Sequence, residues 1–541
     1  MYKLYIYLCM KILVVTGHLA YPLINKVLKA YDDNVLIHVA DTQVAAFLTP
    51  SKIIKEIKMH YSDQLDDISM ILVPGLIRKD TAEISRELNI PSFKGSTDCA
   101  DLIMVLDLID EIELSESKPA DKLIEEEKRK RALKFIEDFE NDSLKKEKLL
   151  EKPNNILIRN LPVGEDFPLR VLAEIPNAPS LSKEDLIKKC EYFIASGADM
   201  IDIGMAAGED FSDKIPVLIN TLRPIIGDRP LSIDTLNPKE IIKAAECGID
   251  LVLSLDLGNY SEVLDILKEK NIPAILLPTN YSKGKVPETP EERVKSMEEL
   301  IKKCEGLRFL ADLILDPVNS NSIVESVVSV YEFKKNNPYP VFFGVGNVTE
   351  LMDTDSVGSN ALLAGIAMEL GCGILFTVEE SGKTTGSVYE LAIASKMMFL
   401  AKNRSSIPKN LGIDLISFKD KNKRLDFVGL DEESQNVPIG EGEEFKKLVL
   451  DRAGSFKIRV DHGTCFEDSK IVVTHFKKLK ADISIEGKYP KEIYEKIIKL
   501  GLVSRLEHAA YLGSELQKAE IAMLTGKEYV QDFELFKPKI F

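Results

Sequence analysis

Residues 231–256, LSIDTLNPKEIIKAAECGIDLVLSLD, hold a strand, a helix and a second strand in one short run. Leu231-Ser-Ile-Asp234 is a short apolar segment that closes on a carboxylate. Pro238 suits the first turn of a helix because its ring fixes φ and its missing N–H has no partner to lose there. The helix predicted over Pro238–Cys247 gives way at Gly248-Ile-Asp250 to a second apolar strand, Leu251–Leu255. Working outward, the same rhythm recurs. Apolar runs at Leu169–Glu174, Met200–Gly204, Leu231–Asp234, Leu251–Leu255, Ala274–Leu277, Leu313–Asp316, Val341–Gly344 and Gly373–Phe376 each precede a helical stretch. Ser182, with Asp185 three residues on, reads as a capping box at the first of these helices. Eight such units predict a TIM (β/α)8 barrel, which this count favours over an open doubly wound sheet.

The 541-residue chain is long enough for about three domains. Residues 10–112 alternate β-branched runs (Ile12–Thr16, Val35–Ala40, Met70–Pro74) with amphipathic segments, predicting an N-terminal open parallel α/β domain whose first strand favours Met10 as the start. Residues 113–152 are charge-dense, with apolar residues every three or four, and read as a solvent-exposed helical connector. The barrel takes residues 153–404. Residues 405–541 lose the repeat and read as a C-terminal α+β domain, with strands near Lys457–Val460, Ile471–His475 and Ala481–Ile485. The net charge of −17 argues against a nucleic-acid partner, and no apolar run is long enough for a membrane span. Seven scattered cysteines without a Cys-x-x-Cys pair fit reduced thiols and a cytoplasmic location. A homodimer is left open.

A barrel of this kind places its active site at the carboxyl ends of its strands. There the sequence is acidic: Glu174, Asp202, Asp234, Ser254 with Asp256, and Asp316, followed by Asn347 after the seventh strand. One such residue is an ordinary helix cap; five or more converging on one mouth call for a metal or an N–H-rich ligand. All six histidines (18, 38, 60, 462, 475, 508) lie outside the barrel segment, so no transition-metal site is expected, although an all-oxygen Mg2+ site stays open. A 2-amino-4-oxopteridine presents an edge of donors that carboxylates accept, so a reduced pterin is the small-molecule partner this mouth suits.

The motifs Gly197-Ala-Asp-Met-Ile-Asp-Ile-Gly204, Leu231-Ser-Ile-Asp-Thr235, Ala245-x-x-Gly-Ile-Asp250 and Leu313-Ile-Leu-Asp-Pro317 resemble, in order and spacing, those of the pterin-binding superfamily. That superfamily includes dihydropteroate synthase and methyltetrahydrofolate-type methyltransferases. As a whole, the chain resembles archaeal-type dihydropteroate synthase-related proteins linked to tetrahydromethanopterin metabolism. The resemblance implies pterin contacts at Asp234 and Asp316, with Ser254 where the family usually has Asn and Asp202 as the second-strand carboxylate. Glu174 and Asp256 join the expected pterin-binding set, and Asn347 and Asp202 are the candidate catalytic residues.

The sequence departs from the synthase where cations would hold a leaving diphosphate. Glu174-Ile-Pro-Asn-Ala-Pro-Ser180 replaces Asn-Val-Thr-Pro-Asp-Ser-Phe, the seventh strand lacks the synthase lysine, and the eighth lacks Arg-x-His. Lys383, two residues after Ser381, is the candidate to substitute as an anion contact. Gly344-Val-Gly-Asn-Val-Thr349 looks more like the methyltransferase branch, in which an Asn hydrogen-bonds near N5 of the methylated pterin; the acceptor there is a corrinoid, carried by a partner protein. Three readings therefore stand: C–N bond formation at a dihydropterin, methyl transfer from an N5-methyl-tetrahydropterin, and a noncatalytic pterin-binding or scaffold protein. His508 is read as an exposed helical histidine rather than a corrinoid ligand, and His462 with Cys465 as part of a hairpin turn rather than a nucleophilic pair.

Overall fold

The computed structural model describes residues 11–29, 34–97, 99–110, 112–419, 449–463 and 468–536. Met10 and Cys465 lie outside them. The chain forms two compact units that part between residues 141 and 142, with residues 409–413 joined to the first. Among the described residues no helix is long and apolar enough to cross a membrane.

The first unit is built on a parallel sheet of β1 (Lys11–Thr16), β2 (Val35–Val39), β3 (Ile68–Val73) and β4 (Ser92–Lys94), in the order β2-β1-β3-β4. Strand alternation sends Leu13 and Val15 to one face, against Ile53, Ile57 and Ile84. Ile12 and Val14 go to the other, against Ile24, Leu28, Leu102 and Leu106. The helix Ala120–Asn141 corrects the reading of a solvent-exposed connector. Ala120, Ile124, Ala132, Ile136 and Phe139 form a buried stripe along it, and Lys128 is buried in an ion pair with Asp101. The spacing of the apolar residues is visible in the sequence, but the density of charge around them points to an exposed helix.

The second unit opens with a hairpin, β5 (Asn155–Ile158) and β6 (Leu161–Gly164). Its Ile156, Ile158 and Val163 plug the amino end of the barrel, sharing a core with the inward side chains Leu172, Met200, Leu253, Ile275, Leu310, Phe342 and Ile374. The barrel is closed and parallel: β7 (Arg170–Ile175), β8 (Met200–Gly204), β9 (Leu231–Asp234), β10 (Leu251–Leu255), β11 (Ala274–Leu276), β12 (Phe309–Ala311), β13 (Val341–Gly344) and β14 (Cys372–Val378). Side chains from Ser182, Asn237, Thr289 and Ser322 cap four of the helices that follow. Seven strands fall where the apolar runs predict them.

The sixth does not. It ends at Ala311, and Leu313–Asp316, read as the strand, is the loop beyond it. Ile314 sits at φ 66°, a left-handed conformation that a strand cannot contain. The carbonyls of Leu313 and Ile314 accept from the guanidinium of Arg293 at 3.1 and 2.8 Å instead of from a neighbouring strand.

The C-terminal part is an antiparallel sheet of β15 (Ser455–Asp461), β16 (Lys470–Lys477) and β17 (Lys480–Gly487), covered by helices Pro490–Lys499 and Leu506–Thr525. His508 is buried there rather than exposed, with Nδ1 3.1 Å from Asp451 Oδ2 and its ring against Phe456 and Tyr511. His462 Nε2 lies 3.0 Å from the Lys527 carbonyl.

Candidate functional site

Alternation along the barrel strands decides which side chains line the mouth. Leu172 and Met200 belong to the inner core, so Glu174 and Asp202, two residues on, also face inward. In β9 the outward residues are Leu231 and Ile233, packed with the helices, which turns Ser232 and Asp234 inward. One carboxylate oxygen from each of Glu174, Asp202 and Asp234 lies within 4.8 Å of the other two. Gly204, the last residue of β8, is glycine for a local reason: a Cβ there would collide with Glu174 Oε1.

Three acids so close cannot all be ionised at low cost. Burial, with the charges of Asp234 and Glu380 adding to it, pushes Glu174 up to about 7. Burial raises Asp234 to about 6. Asp202 is fully buried and raised well above the usual carboxylate range, first by burial and then by Asp234 and Glu174. Its Oδ1 accepts from Ser232 Oγ, while its Oδ2 is buried with no hydrogen-bond partner. An unsatisfied buried carboxylate oxygen beside two more carboxylates is a donor set that fits a proton or a hard cation such as Mg2+.

Asp316 stands above this cluster, 7% exposed, in a loop whose shape is set by Arg293. The Arg293 side chain is fully buried in the helix Pro290–Lys303. It donates to Pro287 O at 3.2 Å, to the carbonyls of Leu313 and Ile314, to Ser326 Oγ at 3.2 Å and to Asp316 Oδ2. Ser326 Oγ also donates to Asp316 Oδ2 at 3.0 Å, and the Asp316 amide donates to Ser326 Oγ at 3.0 Å. Sequence reasoning missed Arg293, although a signal was there: with Met297 and Leu300 it falls on the i, i+4, i+7 stripe of its helix, an unusual place for an unpaired arginine.

Asn347 lies in the short helix Gly346–Thr349 after β13, and its Nδ2 donates to Leu315 O at 3.1 Å, one residue from Asp316. Gly344 is two residues beyond the inward Phe342, and a Cβ on it would come 3.2 Å from Asn347 Nδ2. The Asn347 amide thus occupies the space that an inward side chain at 344 would fill. Ser254 is buried, its amide donating to Thr235 O, the residue after Asp234, at 3.1 Å.

Two expected site residues have other work. Asp256 commits both oxygens: Oδ1 accepts from the amides of Gly258 and Asn259 at 2.7 and 3.1 Å, and Oδ2 from Thr279 Oγ1 and the Tyr281 amide at 3.1 and 2.7 Å. It ties two loops together and presents no free oxygen to a ligand. Lys383 pairs with Asp353 at 3.0 Å in the loop after β14, which leaves Arg293, already committed, as the cation bound to a mouth carboxylate. Tyr281 was also overlooked. Burial raises its phenol, and Asp312, Asp256, Asp316 and Asp234 add to the shift, so its hydroxyl feels the acidic mouth.

Residues 177–367 match the family described as pterin binding enzyme. Residues 450–532 match the family PterinBD-DUF4346, and residues 10–97 a family of unknown function, DUF6513. Over 537 residues the chain is 45% identical to the uncharacterized protein MJ0107 of Methanocaldococcus jannaschii, covering 97% of this chain and 99% of that one. The chain belongs to that protein's family. Similar solved structures include Xanthomonas albilineans dihydropteroate synthase in complex with indole-2-carboxylic acid and 6-chloroguanine, 18% identical over 48% of this chain and 100% of that one, TM-score 0.38. The same enzyme in complex with 7,8-dihydropteroate is 18% identical over 47% and 100%, TM-score 0.35. Yersinia pestis dihydropteroate synthase with a pterine-sulfa conjugate is 17% identical over 47% and 100%, TM-score 0.38.

Proposed function

We propose that this pterin-binding protein is a transferase related to dihydropteroate synthase, forming a C–N bond at a dihydropterin in the synthesis of a folate-like carrier such as tetrahydromethanopterin. The observation that carries the reading is the inward cluster of Glu174, Asp202 and Asp234, one carboxylate oxygen of each within 4.8 Å of the other two. In such a reaction an arylamine nitrogen attacks the methylene carbon, the C–O bond to diphosphate breaks, and the amine gives up a proton. A carboxylate of the cluster is the acceptor for that proton. The same carboxylates would hold Mg2+ if the leaving diphosphate brings it, supplying the positive charge that this mouth lacks. Asp234 and Asp316 accept from the N–H edge of the pterin, with Ser254 beside them.

Asn347 supports a second reading, methyl transfer from an N5-methyl-tetrahydropterin. Its amide overlies Gly344, and one N–H of Nδ2 goes to Leu315 O, which leaves Oδ1 as a neutral acceptor for a protonated N5 and the second N–H as a donor. His508 is packed into the C-terminal core against Phe456, so a corrinoid acceptor in this reading is carried by a partner protein.

Calorimetric titration with dihydropterin-6-methyl diphosphate and with N5-methyl-tetrahydromethanopterin, each with and without Mg2+, tests the choice. Preference for the diphosphate, strengthened by Mg2+, supports C–N bond formation. Preference for the methylated carrier overturns it in favour of methyl transfer.

A further inference from the structure

The sixth β/α loop brings two carboxylates to the mouth, and the structure treats them differently. Asp316, the one within the recognisable motif, has Oδ2 committed to Arg293 and to Ser326 Oγ. Asp312 follows directly on β12. Its amide donates to Leu276 O at 2.9 Å, so the ladder with β11 runs one residue past the end of the strand. Within β12, Leu310 belongs to the inner core and Ala311 to the layer between barrel and helices. Asp312 therefore takes the inward direction of Leu310 at the carboxyl end of the barrel, with Asp234 among its charged neighbours.

Its bonding is incomplete. Asp312 Oδ1 accepts from the Ile314 amide at 2.8 Å, closing the tight turn that places Ile314 in the left-handed region. Its Oδ2 has no hydrogen-bond partner among the described residues. The group is half-buried, with Arg293, Asp234 and Asp316 as its charged neighbours, and burial first pushes it up to about 7. Arg293 directs its hydrogen bonds to Asp316, Ser326 and three carbonyls and makes none to Asp312, so Asp312 Oδ2 is left open to a donor from the mouth.

We propose that Asp312 is a ligand-contacting residue of the mouth, whose free Oδ2 accepts an N–H of the reduced pterin while Arg293 holds Asp316 in place. This rests on the pterin-binding reading. Asp312 lies outside the motif residues that carry the family resemblance, which in this loop begin at Leu313. A turn-forming role alone accounts for Oδ1 but not for the inward Oδ2.

Asp312→Asn separates the two roles, because an Asn keeps the Oδ1 acceptor for the Ile314 amide and removes only the charged oxygen. The probe is 6-hydroxymethyl-7,8-dihydropterin, titrated by calorimetry into the full-length wild-type protein and the variant, with unfolding midpoints recorded for both. The inference expects affinity to fall at least about tenfold, as for loss of a hydrogen bond to a charged group, with no fall in the midpoint. Binding by Asp312→Asn within about twofold of wild type would overturn the inference while leaving the pterin reading intact. A wild-type protein that does not bind the probe would overturn both. If the midpoint falls together with affinity, Asp312→Ser, a shorter turn-former without the charge, decides: recovery of binding overturns the inference, and continued loss supports it.

Discussion

Arg293 and Asp316 form a buried ion pair across the sixth β/α loop, the guanidinium fully enclosed and the carboxylate nearly so. The pair fixes a site residue, and it also explains why the chain leaves the sheet where it does, because the same guanidinium takes the carbonyls that a longer β12 would have offered to its neighbours.

Removing one partner of such a pair leaves a buried charge unpaired. Arg293→Met should destabilise the protein by about 3–5 kcal/mol, measured by urea unfolding. Arg293→Lys restores the charge but not the fork of donors and should recover only part of that loss.

The acid cluster makes stability depend on pH in a defined direction. Glu174 and Asp234 have folded-state values raised to about 7 and about 6, from 4.5 and 3.8. A raised carboxyl keeps its proton in the folded state while the unfolded chain has lost it, so stability is fully present below the unfolded values and is lost as pH rises through the folded ones. Asp202→Asn removes one charge from the cluster. Its unfolding midpoint should exceed that of wild type at pH 8 and approach it at pH 4; a variant less stable than wild type at pH 8 would contradict the assignment.

Gly204→Ala introduces a methyl group against Glu174 Oε1. The expected cost is about 1–3 kcal/mol from overpacking, together with weaker pterin binding as Glu174 is displaced. An unchanged melting temperature would show that the carboxylate moves away freely.

Asn347→Ala distinguishes the two reactions. If the amide assists departure of a methyl group from N5, turnover should fall with little change in binding; if the reaction is C–N bond formation, methyl transfer is absent in wild type and variant alike. Single-turnover measurements with each donor separate these outcomes.

Most of the barrel was legible because its strands are short apolar runs closed by a polar residue and followed by capped helices, as at Leu231–Asp234 and Ser182. The sixth strand was misplaced because Leu313-Ile-Leu315 is a better apolar run than Phe309-Leu-Ala311, and neither propensity nor periodicity reveals a left-handed Ile314 held by an arginine from another element. Asp312 was lost with it. Glu174, Asp202 and Asp234 were visible as strand ends, whereas Asp256 looked the same and proved to be a loop tie. Local sequence does not distinguish a carboxylate that caps amides from one that waits for a ligand. The burial of the stripe along Ala120–Asn141 was obscured by the charges around it, and that of His508 by its place in a helix rich in polar residues.

The most direct measurement is a calorimetric titration of wild type and Asp234→Asn with dihydropterin-6-methyl diphosphate in the presence of Mg2+. Saturable binding to wild type, weakened at least about tenfold in the variant, is the predicted result. No binding to wild type, or equal affinity in the two proteins, would contradict a pterin site at the acidic mouth of the barrel.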